Sequence, residues 1–113
     1  MYDEYSSLVK KAIVYIENHL EEELTTAKVA SYSATSMYHF HRIFQSNLGI
    51  SVTEYIRKRR LTYAAQALVT TNRPILDIAL QYGFSSQEAF TRAFKRMYHL
   101  PPKNTVTIFN HFI

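Results

Sequence analysis

One phrase occurs twice in this chain, and that limits its fold more than any other feature. Phe40-His41-Arg42-Ile43-Phe44 returns as Phe90-Thr91-Arg92-Ala93-Phe94, each after a short helical phrase holding an alanine, Val29-Ala30 and Ile78-Ala79. Each copy has the layout of a helix-turn-helix, so a fold with two of them is expected. The arginines stand fifty positions apart and the alanines forty-nine. The extra residue of the second copy belongs in a turn, because loops accept insertions that helix interfaces reject.

Apolar periodicity and end signals divide the rest into helices. Leu8, Ala12, Ile13, Ile16 and Leu20 recur at helical spacing, which predicts a supporting first helix near 6–21. Leu24 and Val29 read as a staple around a Thr25 N-cap, opening a short second helix that ends near Tyr32. Ser36 caps a third helix that runs to Leu48 and stops at Gly49. Ser51 and Glu54 make a capping box for a connector helix through Thr70, with Ile56, Tyr63, Ala64, Ala67 and Leu68 as its apolar stripe. At the standard rise that helix extends roughly 28 Å, near the DNA pitch of about 34 Å. Pro74 opens the fifth helix and Gly83 makes the turn to the sixth, for which Ser85 and Glu88 read as a second capping box. The sixth carries Phe90, Ala93, Phe94 and Met97 inward and ends near Tyr98, before Pro101-Pro102.

The expected class is all-α: two helix-turn-helix subdomains, 6–50 and 72–104, joined by a connector helix at 51–71, with about seven helices or fewer. Residues 105–113 form a tail, in which Val106-Thr107-Ile108-Phe109 alone has strand-like composition.

Each second helix of the pair has two faces. Phe40, Ile43, Phe44 and Leu48 share one side of the third helix and belong in the core. Tyr38, His41, Arg42 and Gln45 share the other, and fifty positions on stand Glu88, Thr91, Arg92 and Lys95. Such stripes suit the major groove, where arginine binds guanine with two hydrogen bonds and glutamine does the same with adenine. Glu88 carries two readings that stay open here, a capping residue or a base reader. Tyr38 also fits the edge of its lobe, and His41 a surface position.

Charge adds a partner. The net charge is +4, but residues 1–50 hold four Lys/Arg against six Asp/Glu, while residues 51–113 hold nine against three. Basic charge gathered in one half points to a polyanion, beside the more ordinary reading of a solvated face. Arg57, Lys58, Arg59 and Arg60 run around the connector, so only some of them reach phosphate. Lys95, Arg96 and Lys103 are further phosphate candidates, and the N-termini of the third and sixth helices, at Ser36 and Ser85, add backbone N–H donors.

Other classes are weaker. With no cysteine there is no disulfide or thiolate metal site, and His39 and His41, two positions apart, face different sides of a helix. Neither metal nor cofactor is expected. The apolar runs are too short to span a bilayer and Met1-Tyr2-Asp3-Glu4 lacks the basic start of a secretion signal, so the default location is cytoplasmic. No nucleophile motif, phosphate loop or acid pair stands at catalytic spacing, so an enzyme is the weakest reading.

The second-repeat phrase Arg73-Pro74-Ile75-Leu76-Asp77-Ile78-Ala79, with Tyr82-Gly83-Phe84 and Gln87 to Lys95, resembles the DNA-binding domain of the AraC/XylS family of transcription regulators. Arg57 to Leu61 carry the likeness into the connector. It extends over nearly the whole chain and is nearest the family's short members. The resemblance implies that the third and sixth helices enter successive major grooves of double-stranded DNA. The resemblance gives base readout to Tyr38, His41, Arg42, Gln87, Glu88, Thr91 and Arg92, of which Gln87 comes from the resemblance alone, and the spacing of the polar stripe adds Gln45. By charge and helix N-termini, and not by the resemblance, phosphate contact falls to Ser36, Arg57, Lys58, Arg59, Ser85, Lys95, Arg96 and Lys103. The resemblance further implies activation, RNA polymerase as a partner and binding as a monomer, since both readers sit in one chain. Ala34, Val52, Tyr38, His99 and Thr105 depart from the family pattern, where glycine, proline, tryptophan, glycine and an aromatic are usual. Two readings of the tail stay open: Ile108-Phe109 and Phe112-Ile113 dock a protein partner, or Thr105 to Ile113 begin a further, effector-binding domain.

Overall fold

In the computed structural model, the described residues are 4–32 and 36–104. Among them the chain is all-α, with helices α1 Glu4–Glu17, α2 Thr26–Tyr32, α3 Met37–Leu48, α4 Val52–Thr70, α5 Ile75–Gln81 and α6 Gln87–Tyr98, then a single 3-10 turn at Pro102–Asn104. The strand-like segment, the apolar tail and the departures at Ala34 and Thr105 lie outside the described residues. The chain divides into two compact units, Met1–Arg57 and Lys58–Ile113, with the boundary inside α4.

In the first unit α1, α2 and α3 pack on one another. Val9, Ala12, Ile16, Leu20, Val29, Ala30, Phe40, Ile43 and Phe44 are buried, joined by Val52 and Ile56 from the start of α4. Phe40 and Phe44 meet at a tilt one turn apart, with ring centres 5.7 Å apart, and Tyr55 meets Phe44 edge-on at 5.6 Å. The Tyr55 hydroxyl donates to the Glu17 carboxylate at 3.3 Å, which ties α4 back to the end of α1.

Three expectations are corrected here. Val9 is buried while Leu8 is only half-buried, so the seam of α1 runs one residue later at that end. α1 also stops at Glu17 rather than near residue 21. Beyond it the backbone tightens, with His19 N–H to Ile16 C=O at 3.0 Å and Glu22 N–H to His19 C=O at 3.0 Å. Glu21-Glu22-Glu23 are the reason, because three carboxylates oppose the negative end of a helix dipole. Finally, Leu48 is 37% exposed, because α3 ends there and the chain turns away at Gly49 with φ 77°.

The second unit repeats the scheme. Leu61, Ala64 and Ala65 of α4 pack with Ile78, Ala79, Phe90 and Phe94, and Phe84, Met97 and Tyr98 close over them. Phe84 meets Phe90 edge-on at 5.2 Å, and Phe94 lies 4.6 Å from Tyr98. The buried line of α4 thus includes Leu61 and Ala65 beside the expected Ala64, whereas Tyr63, Ala67 and Leu68 are half-buried flanks. The alanines Ala64, Ala65 and Ala79 thus share one buried cluster with Phe90 and Phe94 of α6.

Helix ends mostly follow the sequence signals. The Lys28 N–H donates to Thr25 Oγ1 at 3.1 Å, the His39 N–H to Ser36 Oγ at 3.2 Å and the Glu54 N–H to Ser51 Oγ at 3.1 Å. Only half of the Ser51 box forms, because the Glu54 carboxylate takes the Arg57 guanidinium instead. The second predicted box is corrected by one residue: Ser86, not Ser85, caps α6, accepting from the Ala89 N–H at 3.0 Å. The tight turn at Gly83, φ 84°, places the first helical residue at Gln87, so Ser86 is the residue in extended geometry just before it.

Candidate nucleic-acid interface

The core side of α3 and α6 is set by phenylalanines, and the opposite side is left for polar groups. On α3, Tyr38 is 73% exposed, Arg42 and Gln45 are exposed, and His41 is half-buried with its ring 6.1 Å from Phe40. Tyr38 and Arg42 are one turn apart, and the Arg42 Cζ lies 5.8 Å from the Tyr38 ring centre. That distance is a cation–π contact between two exposed side chains of the same helix. Arg42 also borders an open concavity with His39, Ile43, Ser46 and Asn47. Asn47 is spoken for, donating its amide to the Ile43 C=O at 2.8 Å.

On α6 the corresponding residues fall together. Gln87, Glu88, Thr91 and Arg92 line one open concavity, with Gln87, Glu88 and Arg92 exposed and Thr91 half-buried. Glu88 and Thr91 differ by three positions, and the pairs Gln87/Thr91 and Glu88/Arg92 by four, so one helix face carries all of them. The Ser86 cap also removes the capping-box reading of Glu88. The N3 position opposite the cap is Ala89, so the Glu88 side chain is not a capping group and stands exposed on the polar stripe.

The basic residues separate by geometry. Lys58, Lys95, Arg96 and Lys103 are exposed, as are Ser36 and Ser85. Arg57 is paired with Glu54, and Arg59 is half-buried with its Cζ 5.2 Å from the Tyr63 ring centre. The Ser36 hydroxyl is engaged as the α3 cap but keeps its proton to donate. Two features escaped the sequence reading. The Tyr38–Arg42 pair was legible as an i, i+4 aromatic–arginine spacing, whereas the burial of Arg60 had no local signal.

The comparisons with known proteins bear on the family and the fold. A family model described as a helix-turn-helix domain matches residues 29–107. The chain is 51% identical over 108 residues to the HTH-type transcriptional regulator YbfP of Bacillus subtilis, covering 96% of this chain and 37% of that protein. It is 43% identical over 88 residues to the multiple antibiotic resistance protein MarA of Salmonella typhimurium, covering 78% of this chain and 69% of MarA. Among solved structures, a transcriptional regulator of the AraC-type DNA-binding class from Chromobacterium violaceum matches with a TM-score of 0.87 and 28% identity, over 90% of this chain and 91% of that one. The chain belongs to the AraC/XylS family and carries its tandem helix-turn-helix domain. Members of that family are transcription regulators rather than enzymes. The chain spans only about a third of YbfP and other long relatives such as Rob of Salmonella typhimurium, at 37% and 34%. Among the described residues no helix is long and apolar enough to cross a membrane.

Proposed function

We propose that this chain is a sequence-specific reader of double-stranded DNA that regulates transcription, with α3 and α6 as its two recognition helices. One observation carries the proposal. Both helices turn a polar stripe outward at matching register, and the α6 stripe of Gln87, Glu88, Thr91 and Arg92 lines one concavity. Tyr38, His41, Arg42 and Gln45 then read bases from α3. Ser36, Lys58, Ser85, Lys95, Arg96 and Lys103 hold phosphate, with Arg57 and Arg59 secondary because each already has a partner. Two readers in one chain favour a monomer on a site without a dyad. Activation through RNA polymerase is the family's usual role and is proposed for this chain with it, as is a cytoplasmic location.

The test is a fluorescence anisotropy titration on fragments selected from a genomic pool, beside random fragments. Arg92→Ala should weaken the selected site by about 1–3 kcal/mol and relax preference at one base pair. Lys58→Ala should weaken all sequences alike and lower the salt slope by about 0.9. Equal loss of Arg92→Ala on selected and random DNA would remove Arg92 as a base reader.

A further inference from the structure

The basic run of α4 does not act as one patch. Consecutive residues on a helix step by about 100°, so the four cations point in different directions, and Arg60 lies next to the buried Leu61. Its guanidinium rests on the turn between α5 and α6. A Cβ built on Gly83 would sit 3.1 Å from Arg60 Nη1, 3.3 Å from Cζ and 3.7 Å from Nη2. Three guanidinium atoms at similar distance mean that the planar group faces the glycine. Burial there pulls the Arg60 pKa below its ordinary value.

The turn beneath it is the junction of the second helix-turn-helix. The Gly83 N–H donates to Leu80 C=O at 3.1 Å and the Phe84 N–H to Ala79 C=O at 3.0 Å, closing α5. Phe84 then contacts Phe90 of α6. Glycine suits this position because φ is 84°, and a Cβ here would in addition make the Arg60 guanidinium give way by a few tenths of an ångström.

We infer that Arg60 is a positioning residue for the second reader: laid flat on Gly83, it holds the α5–α6 turn and thereby the angle at which α6 meets DNA. This rests on the DNA-binding reading above. Arg60 thus separates from Lys58, which stands exposed in the same run. Lysine cannot replace it, since an ammonium on a flexible stem offers no plane to rest on the turn.

The test compares Arg60→Lys, Arg60→Met and Gly83→Ala in the full chain, titrating a selected site and random fragments over a range of salt. Both Arg60 variants should lose roughly tenfold or more of the specific-to-random ratio, to a similar degree, with the salt slope of the parent. Retention by Arg60→Lys together with a slope lowered by about 0.9 in Arg60→Met would instead make Arg60 a phosphate contact and overturn the inference. Unchanged preference in both variants overturns it as well. Urea unfolding supplies a readout independent of DNA. Gly83→Ala should destabilise the Arg60→Met background less than the parent, and additive penalties would count against the contact. If the parent prefers no selected fragment, the DNA reading fails while this coupling remains measurable.

Discussion

Ser85 and Ser86 stand side by side before α6, and the structure gives them different work. The Ser86 Oγ accepts the Ala89 N–H at 3.0 Å in a half-buried setting, while Ser85 is exposed. Replacing an N-cap serine with alanine costs about 1 kcal/mol. With an unfolding entropy of about 2.1 cal/mol/K per residue, the whole chain has roughly 240 cal/mol/K, so Ser86→Ala should lower Tm by about 4 °C. If the second unit melts alone, its entropy is about half as large and the shift is roughly 8 °C. Ser85→Ala should stay within about 0.5 kcal/mol of the parent, as surface substitutions do, and act on DNA affinity instead. Ser86→Asp should recover most of the loss, because aspartate caps as well as serine. Thermal melts followed by far-UV circular dichroism, with urea titrations to convert the shifts into free energy, decide the matter. A larger loss in Ser85→Ala than in Ser86→Ala would return the cap to Ser85 and refute the register assigned to α6.

Two further outcomes follow from packing and backbone geometry. Phe90→Ala removes a fully buried ring and should cost about 3–5 kcal/mol, whereas the partly exposed Leu48→Ala should cost far less than a core truncation; comparable losses in urea would contradict the assigned core. His99 ends α6 at φ 67°, and left-handed geometry costs a residue with a Cβ roughly 1–2 kcal/mol. His99→Gly should therefore raise stability, by about 0.5 kcal/mol after the added freedom of the unfolded chain is subtracted, and an unchanged urea midpoint would show that no strain is held there.

Much of this protein is decided along the sequence itself. The repeated Phe-x-Arg-x-Phe phrase determines two similar helices with phenylalanines on one side and polar groups on the other, because helical period alone sorts residues at three and four positions. Gly49 and Gly83 likewise mark their turns through a positive φ that other residues rarely adopt, and Pro74 marks the start of α5 through its fixed φ and missing N–H. What depends on neighbours distant in sequence was decided only by the tertiary structure. Periodicity could not choose between Leu8 and Val9, since adjacent positions both border the α1 seam and only packing on α2 and α3 selects one. It could not choose between Ser85 and Ser86, because the cap goes to whichever serine the Gly83 turn leaves extended. Nor could it divide Arg57, Lys58, Arg59 and Arg60, four cations in a row. Glu54, Tyr63 and Gly83 claim three of them, and Lys58 stands exposed. Spacing names the face on which a side chain starts, but a long flexible cation ends where its surroundings hold it.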